Sequence, residues 1–335
     1  MEQQGYDVVG IGNAIVDVIS QESEQFVVRN DLVKGAMTLI DADRAVELYE
    51  LMAPAIETSG GSAANTMAGL ASFGCDVAYI GKVRNDQLGG VFGHDIRAVG
   101  VDYDIAPADE GPPTARCLIV VTPDAARTMN TFLGISSLLR PDDVDDNLVR
   151  SGKVLYCEGY IWDIDITKQA IRKAVDGCRD AGNKVSFTLS DSFCVERHHQ
   201  EWLDLVDGSI DILFGNEDEI TTLYETPDFD AALEAVQGKC EVACLTRSEK
   251  GSLIVTPDDV IEVPAEPLDQ VLDTTGAGDL YAAGFLYGYT RGLDLDTCGR
   301  LASVAPAEVI GPGRSGIGYR RCPLLAAIHR ALVGI

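Results

Sequence analysis

The stretch Asp273-Thr274-Thr275-Gly276-Ala277-Gly278-Asp279, running directly into the apolar residues 280–291 and then Gly292, decides the fold. Small residues ahead of an apolar run predict a helix that starts here and stops at Gly292, whose missing side chain suits a left-handed cap. At such a start the first backbone N–H groups have no partner within the helix, and the helix dipole adds partial positive charge. Gly276, Ala277 and Gly278 let an anion come close to those donors and make a candidate anion hole. A phosphoryl group in a loose transition state spreads negative charge over its oxygens, which fixed N–H donors stabilise. Asp279, in the first turn, stands where an attacking hydroxyl would arrive and is the candidate base. The helix end favours its carboxylate and burial disfavours it. On these residues alone the run fits either an anion site or an ordinary capped helix after a glycine turn.

Outward from this helix, short apolar runs at residues 7–11, 77–80, 154–157, 184–189, 211–214 and 242–245 alternate with amphipathic segments. Strands alternating with helices predict an α/β fold with a mostly parallel sheet. Helices are expected over residues 62–73, 87–99 and 167–181, each followed by a glycine suited to the cap, Gly74, Gly100 and Gly182. Residues 14–40 and 101–132 break the alternation and carry few helix signals, so within one domain spanning residues 1–335 they fit either a small separate sheet or irregular loops. Within the second, residues 116–121 and 127–132 flank the turn Thr122-Pro123-Asp124 and read as a hairpin.

A 335-residue chain with 46% hydrophobic residues can bury one large core without disulfides or metals. Its net charge of −27, from 53 acidic and 26 basic side chains, repels nucleic acid and anionic lipid, so no nucleic-acid or membrane partner is expected. An anionic substrate would need its own patch of positive potential. The nine cysteines are scattered with no Cys-x-x-Cys pair and read as reduced; Cys244, in an apolar run, reads as a strand residue. No signal peptide or bilayer-spanning run is visible, which points to the cytoplasm.

A second glycine cluster, Ser59-Gly60-Gly61-Ser62-Ala63-Ala64-Asn65, opens a helix and offers N–H donors together with the Asn65 amide, a set suited to a polyhydroxyl ligand. Asn13 and Asp17 follow the first strand, and a carboxylate is a natural acceptor for two neighbouring sugar hydroxyls. As isolated residues both also fit turns. The chain has no Gly-x-x-x-x-Gly-Lys-Ser/Thr, which excludes a P-loop kinase. Gly10-Ile11-Gly12-Asn13-Ala14-Ile15 lacks the third glycine of a dinucleotide fingerprint and supports a dehydrogenase weakly.

Taken in order, residues 12–17, the cluster 60–65, residues 210–219 and the stretch 273–279 resemble the signatures of the ribokinase/PfkB carbohydrate and nucleoside kinase family, spread over residues 10–279. The wording of residues 187–190 and 211–219 is similar to that of adenosine kinases within it. The resemblance implies a ribokinase-like three-layer sandwich, a central mostly parallel sheet flanked by helices, with the small sheet as a β lid. It implies an ATP-dependent phosphotransferase acting on an alcohol group, with adenosine as the first acceptor to consider and ribose, fructose or a related sugar as the alternative. A binding protein without turnover on the same fold is the minor alternative.

The resemblance also implies roles. Asp279 would be the catalytic base and Gly276, Ala277 and Gly278 the anion hole. Asn13, Asp17, Gly60, Gly61 and Asn65 would bind the acceptor, and Asn216, Thr246 and Gly251 the nucleotide. Glu219 would act through water on Mg2+ carried with ATP. Ser248 stands where a glycine is usual in the family's nucleotide turn. The glycine-rich residues 311–316 would border the nucleotide, near a monovalent cation such as K+. Partners are then ATP and a small nucleoside or sugar, for a monomer or homodimer.

Overall fold

A computed structural model describes residues 5–267 and 276–310, with side chains through residue 307. Asp273, Thr274 and Thr275 of the opening stretch, the glycine-rich residues 311–316 and Cys322 lie outside the described residues. The strands, in chain order, are β1 (Tyr6–Ile11), β2 (Ile15–Gln21), β3 (Met37–Leu39), β4 (Ile56–Gly60), β5 (Val77–Ile80), β6 (Ala115–Val121), β7 (Arg127–Phe132), β8 (Gly152–Glu158), β9 (Lys184–Thr188), β10 (Ile212–Asn216), β11 (Val242–Thr246), β12 (Ser252–Val255) and β13 (Val260–Val263).

Eight of them form one sheet in the order β13-β12-β11-β10-β9-β8-β1-β5. The pairs from β11 through to β5 are parallel, and β12 and β13 close one edge antiparallel. Residues of one strand alternate between two apolar cores, one on each face. Val8, Val154, Ile212 and Val242 join one; Val9, Leu155, Leu213 and Ala243 join the other. That two-sided burial explains why these strands read as continuous apolar runs rather than alternating ones. Helices Ser62–Ser72, Ala277–Tyr289 and Leu295–Ile310 cover the first face, and Asp165–Asp180 lies on the second. The fold is the ribokinase-like α/β sandwich expected from the sequence. Cys244 is a buried strand residue, and all eight described cysteines are buried and free.

The remaining strands form a five-stranded sheet in the order β3-β7-β6-β2-β4. β6 and β7 are the expected hairpin, while β2 pairs with β6 in parallel. Two features depart from the sequence reading. Residues 14–40 contain the helix Glu24–Arg29, capped by the Ser23 hydroxyl accepting from the Phe26 N–H. At six residues it leaves too short a periodic pattern to register. β4 also joins this sheet from outside both stretches, antiparallel to β2, although Ile56-Glu57-Thr58-Ser59-Gly60 has no apolar alternation of its own. Among the described residues no helix is long and apolar enough to cross a membrane.

Candidate active site

In a parallel sheet the carboxyl ends of all strands lie on one edge, where loops can carry ligands. Asn13 follows β1, Glu158 ends β8, Thr188 ends β9, Asn216 ends β10 and Thr246 ends β11, and all five line one cavity of about 760 Å³ beneath the small sheet.

Two helix starts meet at this edge. Gly61 (φ +98°) precedes helix Ser62–Ser72 and Gly276 (φ +78°) precedes helix Ala277–Tyr289, and neither end has a side-chain cap. The helices pack on each other, which brings their first turns together. The Ser62 hydroxyl donates to Asp279 Oδ1 at 2.7 Å and the Asn65 amide donates to Oδ2 at 3.1 Å. Burial pushes the Asp279 carboxyl up to about 6, against the pull of these two bonds. Asp279 still keeps a partly accessible face toward the cavity.

The register of the small sheet explains the opposite wall. Thr58, Asp17, Cys117, Thr131 and Leu39 lie abreast across five strands, and Ile119, Met129 and Met37 lie abreast two residues further along. With side chains alternating along a strand, both rows share one face, and from Asp17 to Leu39 and Met37 they line the cavity. Asp17 is buried there, and burial pushes its carboxyl up to about 7, opposed by the Arg127 charge and aided by the charge of Asp279. Arg116 lies over the Tyr49 ring at 5.9 Å. Phe132 is not among the cavity-lining residues, whereas Leu133 is.

Gly60 and Gly61 are fixed by close approach. A Cβ at Gly60 would lie 2.6 Å from the Asp17 carboxyl, and one at Gly61 would run into the Asn13 carbonyl. Gly61, Gly276 and Gly278 line the cavity; Gly60 and Ala277 sit behind it.

Asn216 and Glu219 form a reciprocal cap on helix Glu217–Leu223. Asn216 Oδ1 accepts from the Glu219 N–H at 2.8 Å, while the Glu219 carboxylate accepts from the Asn216 N–H at 3.0 Å and the Asn216 amide at 2.7 Å. The Asn-x-x-Glu spacing is therefore a capping box before it is anything else. Glu219 is also buried, which pushes its carboxyl up to about 7, and it faces the cavity. A buried, acid-raised carboxylate is a hard oxygen donor whose ionised form a cation would favour. Among the described residues no cluster of three His, Cys, Asp or Glu side chains is placed to hold a metal. The donor set fits a magnesium ion carried with ATP, which Glu219 would meet through water. Thr246 lines the cavity and Gly251 does not; at φ +87° its missing Cβ makes room for the Val263 carbonyl. Ser248, at φ +52°, adopts the left-handed conformation that a glycine would supply there.

One residue central to the site was not read from sequence. Glu158 is buried, accepts from the Asn13 N–H and amide at 2.8 Å each, and accepts from the Ala63 N–H at 2.7 Å. Burial pushes it up to about 7, against those bonds. Its partners are 145 and 95 residues away, so no local spacing reveals it. The available signal was an acid directly after the apolar run 154–157.

Residues 32–317 match the family described as pfkB family carbohydrate kinase. The chain belongs to that family. A probable sugar kinase from Rhizobium etli is 46% identical, with a TM-score of 0.90 over 99% of this chain and 100% of that one. An adenosine kinase from Sinorhizobium meliloti is 50% identical, with a TM-score of 0.87 over 98% of this chain and 99% of that one. A 5-dehydro-2-deoxygluconokinase from Shouchella clausii is 28% identical over 305 residues, 87% of this chain and 91% of that one. This pfkB member is a phosphotransferase of the sugar and nucleoside kinase type, and kinases of this family use ATP.

Proposed function

We propose that the chain transfers the γ-phosphate of ATP to the 5′-hydroxyl of a nucleoside, adenosine before others. One observation carries this reading: a polar end and an apolar slab share one cavity. Asn13, Asp17, Asn65 and Asp279 offer donors and carboxylates for a ribose, and Met37, Leu39, Ile119, Met129 and Leu133 line the same space. Met37 and Leu39 stay 40% and 51% exposed, an apolar surface suited to a flat base and left wet by a lone sugar. The similarity to the Sinorhizobium meliloti adenosine kinase supports the same choice.

In this reading Asp17 accepts hydrogen bonds from two ribose hydroxyls. Asp279, held by Ser62 and Asn65, takes the proton of the 5′-hydroxyl as its oxygen forms a bond to the γ-phosphorus and the bond to the ADP oxygen breaks. The N–H groups of Gly276, Ala277 and Gly278 donate to the phosphoryl oxygens. Asn216 and Thr246 lie on the nucleotide side, with Glu219 toward the metal. Glu219 would hold magnesium carried with ATP, which when bound would supply charge neutralisation for the phosphates.

A sugar acceptor is the second reading, favoured by the likeness to the Rhizobium etli sugar kinase and by a polar end that serves either molecule. ADP release with adenosine, other nucleosides, ribose and fructose separates the two. Turnover on a sugar with none on nucleosides would overturn the nucleoside assignment.

A further inference from the structure

The cavity walls carry the carboxylates of Asp17, Glu158, Asp163, Asp191, Glu219 and Asp279, and among the described lining residues the only lysine or arginine is Arg197. A chain of net charge −27 that takes in a polyphosphate thus offers, among the described residues, Arg197 as the cation at the cavity wall. Arg197 ends helix Ser192–Arg197, which packs both on the turn Gly159–Ile161 beyond Glu158 and on helix Glu217–Leu223, the bearer of Glu219. It stands where the wall that holds Asn13 meets the wall capped by Asn216.

The guanidinium grips Asp163 through Nε at 3.1 Å and Nη2 at 2.8 Å. That grip is exchangeable for two reasons. The pair is open to solvent, at 45% and 28% side-chain exposure, where an ion pair contributes little. Asp163 also has a second partner, since its Oδ1 lies 2.9 Å from His198 Nε2 and stays covered when the arginine leaves. The planar fork that fits a carboxylate with two N–H groups fits two phosphate oxygens equally well.

We infer that Arg197 is a donor-binding residue that exchanges Asp163 for phosphate oxygens of ATP. Asp163 is the competitor that holds the fork ready and sets the strength of the exchange. This rests on the reading of Asn216 and Glu219 as the donor side, and not on which acceptor is used.

The test is calorimetric titration of the purified protein with a non-hydrolysable ATP analogue and magnesium, alongside steady-state kinetics. Arg197→Met should weaken analogue binding by about tenfold to a hundredfold, the range for a lost charge-assisted hydrogen bond. Arg197→Lys should recover part of that loss. Asp163→Asn should tighten analogue binding about twofold to fivefold, because the competitor is gone. A purely structural ion pair would make Arg197→Met and Asp163→Asn change affinity in the same direction, and that result overturns the inference. A rise in acceptor KM with unchanged analogue affinity overturns it too, assigning Arg197 to an anionic acceptor. If no nucleoside is turned over but the opposed shifts are seen, only the acceptor assignment falls.

Discussion

Glu158 holds Asn13 twice, through its backbone N–H and its side-chain amide, both at 2.8 Å and both out of contact with water. The other carboxylate oxygen anchors the Ala63 N–H at the start of the helix that carries Ser62 and Asn65. One buried side chain therefore sets the positions of two candidate acceptor-site residues, Asn13 and Asn65, and of Ser62, which holds Asp279. Glu158→Ala leaves three buried donors unpaired and should lower stability by about 2–4 kcal/mol, read from the urea midpoint. In the protein that remains folded, acceptor KM should rise about tenfold or more while ATP KM stays within about twofold.

Asp279→Asn should lower kcat by about 100- to 10,000-fold, the usual contribution of a positioned base, and leave ATP affinity nearly unchanged. The same substitution removes a carboxyl whose charged form burial disfavours, so thermal melting at pH 8 should not fall. Near-normal turnover would remove Asp279 from the role of base.

Glu219 both caps a helix and faces the cavity, and one pair of variants separates these tasks. Glutamine keeps the backbone half of the capping box, because its amide oxygen can still accept from the Asn216 N–H, and gives up only the bond from the Asn216 side-chain amide. Glu219→Gln should keep the melting temperature within about 2 °C, yet raise about tenfold the magnesium concentration needed for half-maximal rate. Glu219→Ala should lose both. Equal magnesium requirements in wild type and Glu219→Gln would leave the residue as a cap alone.

Asp17, Glu158, Glu219 and Asp279 have folded-state values raised to about 7, 7, 7 and 6 from ordinary carboxyl values of 3.8 or 4.5. The folded protein therefore binds more protons than the unfolded chain between these limits. Their contribution to stability is fully present below about pH 4 and is lost as the pH rises through 6 to 7. Melting of the ligand-free protein should show Asp17→Asn gaining on wild type as pH goes from 5 to 8. Independently, kcat/KM for the acceptor should fall on the acid side with an apparent pKa near 6 as Asp279 becomes protonated.

Met37 and Leu39 sit on the edge strand with their side chains half open over the cavity. Truncating both to alanine removes apolar surface a base would cover and nothing a ribose needs. KM for adenosine should rise about tenfold, and any turnover of free ribose should be unchanged.

Much of this architecture was legible because each core strand is buried on both faces, which prints an unbroken apolar run into the sequence, as at residues 242–245. The helix starts at Gly61 and Gly276 were legible for a different reason: small residues are required where backbone approaches backbone or ligand. β4 left no pattern because its residues are ordered by pairing with β2, not by an apolar face of their own. Glu158 was hidden because its meaning lies in donors from two distant segments, and Arg197 because its place at the cavity depends on how three elements pack. The Asn216 to Glu219 spacing was read as chemistry alone, although the same four residues also satisfy a local backbone need.

The clasp of Asp279 by Ser62 and Asn65 joins groups 217 and 214 residues apart in the chain. The candidate base and the two side chains that hold it are thus made at opposite ends of translation. A nascent chain can complete the small sheet and most of the large one before Asp279 has left the ribosome. Such a chain would hold acceptor-binding groups in place and still be unable to consume ATP, so the onset of activity reports closure of the whole molecule and no earlier stage.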